Sequence, residues 1–101
     1  MAEINQDLIS DVKIYLDITW ADDNTDKKVT GIIKRGIIFL DDKAGAELNY
    51  LEESRARELL MEYCRYTRDG ILDKFMINYA PFLTDLRAGN GGAYDNETTN
   101  V

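Results

Sequence analysis

Hydrophobic positions recur every three to four residues along most of the chain, and this period divides it into four segments. Leu8, Val12, Tyr15 and Leu16 form the first stripe, with Asp7, Asp11, Lys13 and Asp17 mostly outside it. The spacing predicts a short amphipathic helix. Thr19-Trp20-Ala21-Asp22-Asp23-Asn24 interrupts the pattern. Aspartates just ahead of a new periodic run are helix-start signals, because their side-chain oxygens accept from free backbone N–H groups. The second helix is predicted from about Thr25 to Leu40, with Val29, Ile32, Ile33, Gly36, Ile37 and Leu40 on its apolar face. Its β-branched run has a helical period, not a strand's. Gly31 and Gly36 each cost about 1 kcal/mol relative to alanine inside a helix. Gly36 lies on the apolar stripe, so close approach of a neighbouring helix is the expected compensation.

Gly45 marks a turn. Asn49, with Glu52 three residues on, is expected to cap a third helix over residues 50–67. Its buried stripe is Ala56, Leu59, Leu60, Tyr63, Cys64 and Thr67, and Glu53 can pair with Arg57 at i, i+4. Arg68-Asp69-Gly70 reads as a turn. A fourth helix is expected over residues 71–87, with Leu72, Phe75, Met76, Tyr79, Leu83 and Leu86 inward. Pro81 removes a backbone donor there and should kink the helix or split it in two. Gly89-Asn90-Gly91-Gly92 is a flexible joint by composition, and residues 93–101 are polar apart from Tyr94 and the flanking Ala93 and Val101. The expected fold is all-α, a small bundle of four to five helices over residues 1–88 with a flexible C-terminal tail over 89–101.

Composition agrees with this reading. The 101 residues suffice for one domain and one core, and a single proline with seven glycines suits long regular elements. Cys64 is the only cysteine, so no intrachain disulfide exists. No basic start followed by an apolar run opens the sequence, and no apolar stretch reaches the ~18 residues of a membrane span. A cytoplasmic protein with no membrane partner is the expectation.

Charge changes the picture more. The net charge is −7, which argues against a protein that grips nucleic acid through a basic surface. Its sign is segregated. Residues 1–26 carry seven carboxylates and one lysine, whereas residues 27–35 carry Lys27, Lys28, Lys34 and Arg35 and no acid.

Candidate chemistry is sparse. The chain has no histidine, which removes the commonest general base and metal ligand. Cys64 falls on an apolar stripe, as a small buried hydrophobe would. Asp22-x-Asn24-x-Asp26 starts like a calcium loop, but Lys27 replaces the required glycine and Ile33 the bidentate glutamate. Helix capping is its better reading. Gly31 to Gly36 follows no strand and precedes no Lys-Ser pair, so it is no phosphate loop. No catalytic residue, cofactor site or metal site is expected, and the chain reads as a non-enzyme.

Several stretches taken together resemble the head–tail connector proteins of tailed bacteriophages and prophages, also called head-completion or adaptor proteins. The first is Leu8-Ile9-Ser10-Asp11-Val12-Lys13-Ile14-Tyr15-Leu16-Asp17-Ile18-Thr19-Trp20, followed by an acidic loop with Asp26, then Ile32-Ile33 and Phe39-Leu40. Ala44-Gly45 closes the second helix. Leu59-Leu60-Met61-Glu62-Tyr63-Cys64-Arg65-Tyr66-Thr67-Arg68-Asp69-Gly70, then Phe75, Asn78-Tyr79 and Leu83-Thr84-Asp85-Leu86-Arg87, is the most distinctive part. The likeness covers about residues 6–87 and is a pattern of core positions and a turn, without a catalytic motif.

The resemblance implies a ring of identical all-α subunits below the portal, at the head–tail junction of the virion, assembled in the bacterial host cytoplasm. The portal protein and a downstream head-completion or tail protein would be its partners. DNA would pass through the centre without specific binding, and an acidic wall would let it slide. A ring joins one face of a subunit to a different face of the next. The basic patch of Lys27, Lys28, Lys34 and Arg35 and the acidic start, with Asp11 and Asp17, are complementary faces for that contact, or else ordinary solvated ones. Arg65, Tyr66 and Arg68 before the last helix either protrude to a partner or pair with Glu62 and Asp69, with Tyr66 on the core edge. The alternative is a small helix-turn-helix DNA-binding regulator, supported by the basic patch alone. An enzyme subunit or metal protein has no supporting site.

Overall fold

The computed structural model describes residues 4–20 and 22–88. Expectations for the Gly-rich joint and the tail over 89–101 lie outside the described residues. The fold is all-α. The described residues form five helices and no strand: α1 (Gln6–Tyr15), α2 (Asp23–Ala44), α3 (Arg55–Arg68), α4 (Leu72–Asn78) and α5 (Ala80–Arg87).

Side chains cap the first three helices. Asn5 accepts from the Leu8 amide at 2.8 Å, Asp22 from Thr25 at 3.2 Å, and Ser54 from Arg57 at 3.0 Å. Each bond satisfies one of the amides that a helix start leaves without an intrahelical partner. The same three helices end alike, on a residue with positive φ: Asp17 (60°), Gly45 (72°) and Gly70 (74°). After α1, the Ile18 amide reaches back to Lys13 O and Asp17 to Ile14 O; after α3, Ile71 reaches Tyr66 O and Gly70 reaches Thr67 O. This pair of bonds satisfies the last carbonyls of a helix.

Two boundaries differ from the sequence reading by a turn or more: α2 runs on to Ala44 instead of ending near Leu40, and α3 starts later than expected. Helix α3 starts at Arg55, not near residue 50, and its cap is Ser54, not Asn49. The Asn49 side chain instead accepts from the Leu51 amide at 2.9 Å, which closes a local turn that competes with helix. Tyr50 is fully buried, and its hydroxyl donates to Asp41 Oδ1 at 2.6 Å. The loop after α2 is therefore pinned to the body, and the helix cannot begin until the chain has left it. The fourth predicted helix is split in two, one of the two outcomes expected of Pro81, into α4 and α5 divided at Tyr79. Pro81 lies in the first turn of α5, where its missing N–H costs nothing.

Helix α3 is central. Seven of its fourteen residues are buried, Met61 and Tyr66 among them beside the expected stripe. It packs on α1, α2 and α4. Gly36 of α2 allows the closest approach: a Cβ there would lie 2.7 Å from Leu60 Cδ1 and 2.9 Å from Tyr63 Cδ1. Phe75, fully buried, gathers Phe39, Tyr63, Tyr66 and Tyr79 around it with ring centroids 5.1–6.2 Å apart. These separations fall in the favourable range for aromatic pairs. Met76 and Tyr15, both expected inward, are each 44% exposed. The axis of α4 turns Phe75 to the core and Met76 and Ile77 away from it.

Candidate functional site

Helix α2 has two opposed faces. Val29, Ile33, Gly36, Ile37 and Leu40 are buried. At 100° per residue, Lys27, Gly31, Lys34 and Ile38 then point away from the core, flanked by Lys28 and Arg35. All four cations are exposed, and Ile38 is 56% exposed. Among the described residues none of the four makes an ion pair, although the chain carries more acid than base. Arg35 leans over its own helix, with Nη1 3.5 Å from where a Cβ of Gly31 would stand. The basic patch is thus one surface with an exposed isoleucine beside it, and Gly31, half-buried, lies beneath Arg35 and lines a shallow pocket with Gln6 and Ile9 of α1.

A second surface lies over α3. Tyr15 of α1, Leu59 and Met61 of α3, Tyr79, and Phe82 of α5 line a groove of about 510 Å³ with a largely apolar floor. Its charged groups answer one another. Arg57, nearly buried, donates to the Asp11 carboxylate and to Tyr50 O at 2.9 Å, and lies 3.7 Å from Glu53. Glu62 accepts from Tyr15, from Tyr79 at 2.9 Å and from Arg65. Burial, and then the bond to Glu62, pushes the Tyr79 hydroxyl up to about 12. The Arg55 guanidinium stacks on Phe82 at 4.6 Å and lies 4.0 Å from Asp85. Glu53 and Glu58, both exposed, form the acidic rim.

The two surfaces lie on opposite sides of the α2–α3 layer. Leu60 and Tyr63 of α3 face Gly36, whereas Glu58, Met61 and Glu62 fall on the far side of the same helix.

The remaining residues singled out by the sequence are placed differently. Asp11 is spent on Arg57 within the chain, and Asp26 on Lys13 at 2.7 Å. Asp17 is exposed and occupies the left-handed position that ends α1. Tyr66 does not protrude: it is 8% exposed, packs against Phe75 and Tyr79, and accepts from Asn78 at 3.0 Å. Arg65 pairs with Glu62 and lies over the Tyr66 ring. Arg68 donates to Leu16 O and pairs with Asp69. Tyr66 ties α3 to α4 and Arg68 ties it to the end of α1, while Arg65 stays within α3. The sequence reading missed the groove, because its wall comes from three elements far apart in the chain. The signal present was Phe82, an aromatic residue off the buried stripe of its helix.

Cys64 is fully buried, and burial pushes its thiol up to about 12, so it stays protonated at neutral pH. Among the described residues no cluster of three or more cysteine, aspartate or glutamate side chains is placed to hold a metal ion. No helix among them is long and apolar enough to cross a membrane. Comparison with models of protein families, with curated proteins and with solved structures finds no match.

Proposed function

We propose that this chain is a structural subunit of a tailed-phage or prophage head–tail connector, which assembles with copies of itself into a ring below the portal. In this role it joins the portal to a downstream head-completion or tail protein while DNA passes through the centre. The observation that carries the assembly reading is the outward face of α2. Lys27, Lys28, Lys34 and Arg35 have no carboxylate partner among the described residues of an acidic chain. Such a face is suited to an acidic surface on another molecule, where complementary charge sets register and suppresses wrong partners. The connector identity itself is supported by the resemblance over residues 6–87. In keeping with a structural role, the polar groups of the groove are engaged with one another and its floor is apolar, an arrangement that binds and does not activate a substrate.

The test is the mass of the purified protein by light scattering over a concentration series, alone and mixed with a portal protein, with negative-stain imaging of the largest species. Closed rings with a central hole are expected. Reversal of Lys34 and Arg35 to glutamate should abolish them, and unchanged assembly of that variant would remove the role given to the basic face. Tight, salt-sensitive binding to duplex DNA by the wild type, lost on the same reversal, would instead assign the face to the helix-turn-helix regulator.

A further inference from the structure

We infer that the shallow pocket between α1 and α2 is the docking site for residues 94–97 of a second copy of the chain, held there by Asp95 and Glu97. This rests on the assembly reading and names what the basic face of α2 receives. The pocket encloses about 350 Å³. Lys27, Thr30 and Lys34 of α2 and Gln6 of α1 supply its polar wall, with Ile9 and Gly31 between them. Asp26, at its edge, is neutralised by Lys13 at 2.7 Å. Lys27 and Lys34 are exposed and make no ion pair among the described residues. The pocket therefore presents two uncompensated positive charges.

The carboxylates nearest to hand in the fold are poor counterparts for these charges. Asp11 is held by Arg57, Asp22 caps α2, and Glu53 lies 3.7 Å from Arg57. Glu62 accepts from Arg65 and Tyr79, and Glu58 is engaged as well. Residues 89–101 differ in kind, with Asp95 and Glu97 and no lysine or arginine. In an extended segment two such positions point to one side, about 7 Å apart. Lys27 and Lys34 stand two turns apart on one helix face, about 10 Å, and their long stems close the difference. Gly31 adds no side chain between them, so the docked backbone can lie close to α2. Reach makes the donor a neighbour. Arg87 donates to Lys43 O at 3.4 Å, which sets the end of α5 beside the end of α2. Lys43 is about 20 Å along the helix from Thr30. Asp95 is seven residues beyond Ala88, and a Gly-rich run of that length spans about 15 Å on average. Within one chain the carboxylates arrive only near full stretch, whereas a subunit packed alongside meets no such limit. Each copy then gives its segment to one neighbour and takes that of another, a heterologous contact that grows until it closes.

The experiment joins cross-linking of the wild-type chain to charge reversal on each side. Unlabelled and isotope-labelled protein are mixed, treated with a carbodiimide that joins a carboxylate to a lysine in contact with it, and digested for mass spectrometry. Cross-links of Asp95 or Glu97 to Lys27 or Lys34 should pair a labelled with an unlabelled peptide. The Asp26–Lys13 pair inside each chain is the like-labelled control. Asp95→Lys with Glu97→Lys reverses the segment, and Lys27→Glu with Lys34→Glu reverses the pocket. Both variants should keep the wild-type helical circular dichroism, since Lys27 and Lys34 are exposed. Each alone should self-associate roughly tenfold or more weakly than wild type, because its segment and pocket carry like charge. Mixed in equal amounts, each segment meets a pocket of opposite sign, and association should return. Cross-links confined to like-labelled peptides, or a segment variant that associates as wild type does, overturn this docking and leave the assembly reading standing. A wild type that stays monomeric at every concentration, and with a portal protein, overturns both. Loss of duplex DNA binding as the sole effect of the pocket reversal overturns the docking in favour of a nucleic-acid face.

Discussion

The two glycines of α2 show how the same residue type serves opposite purposes five positions apart. Gly36 lets α2 and α3 come together, and a methyl there would lie under 3.0 Å from Leu60 and Tyr63. Alanine gains ~1 kcal/mol of helix propensity but must displace two buried side chains, and overpacking of this kind costs about 1–3 kcal/mol. Gly36→Ala should therefore lower the urea midpoint. Gly31→Ala has only the end of Arg35 near it, so it should raise the midpoint by up to ~1 kcal/mol of stability. Equal effects of the two would contradict the packing described. The sequence made Gly36 legible, because it falls on the apolar stripe, and left Gly31 without a reason. Asp17 was equally opaque. Nothing local distinguishes an aspartate on a helix surface from one that must take φ of 60° to end the helix, although aspartate tolerates that conformation better than most residues.

At the scale of elements, stripes were legible and ends less so. The inward positions of α1, α2 and α3 follow the 3.6-residue period nearly throughout, and Pro81 divides the last helix as its chemistry requires. The start of α3 was misread because Asn49-x-x-Glu52 has the form of a capping box, whereas Ser54-x-x-Arg57 does not. The structure decides between them through Tyr50. Its buried ring and its bond to Asp41 hold the chain out of helical conformation past Asn49. Ser54 is itself 1% exposed, so its hydroxyl is the practical partner for the Arg57 amide. Ser54→Ala should cost about 1 kcal/mol, toward 2 if the freed amide stays dry. Asn49→Ala, which loses one exposed turn bond, should cost less. Urea denaturation of both variants orders the two caps, and a larger loss at Asn49 would restore the capping box.

For the whole molecule, the basic face was legible because four cations within nine residues fall on one helix, but the groove was not. Tyr15, Met61 and Phe82 meet only after α1, α3 and α5 have packed. The same packing buries acidic groups in their neutral form, and this gives the fold a pH limit. The Cys64 thiol, ordinarily near 9, is pushed up to about 12 by burial, and the Tyr79 hydroxyl, ordinarily near 10, to about 12 by burial and by the Glu62 carboxylate beside it. Tyr50 and Tyr63 are also raised, each chiefly by burial. In the unfolded chain these groups release their protons from about pH 9 to 10, while in the folded chain they hold them. The unfolded state then binds fewer protons, so stability falls as pH rises. The contribution of these groups is fully present below pH 9 and is lost progressively through pH 12. The urea midpoint should be level with respect to these groups from pH 7 to 8.5 and drop by pH 10.5. Cys64→Ala, though less stable throughout from the small cavity it leaves, should show a shallower fall between pH 9 and 10. A wild-type midpoint that holds steady to pH 10.5 would mean that water reaches these side chains and that the aromatic cluster around Phe75 is looser than its ring distances indicate.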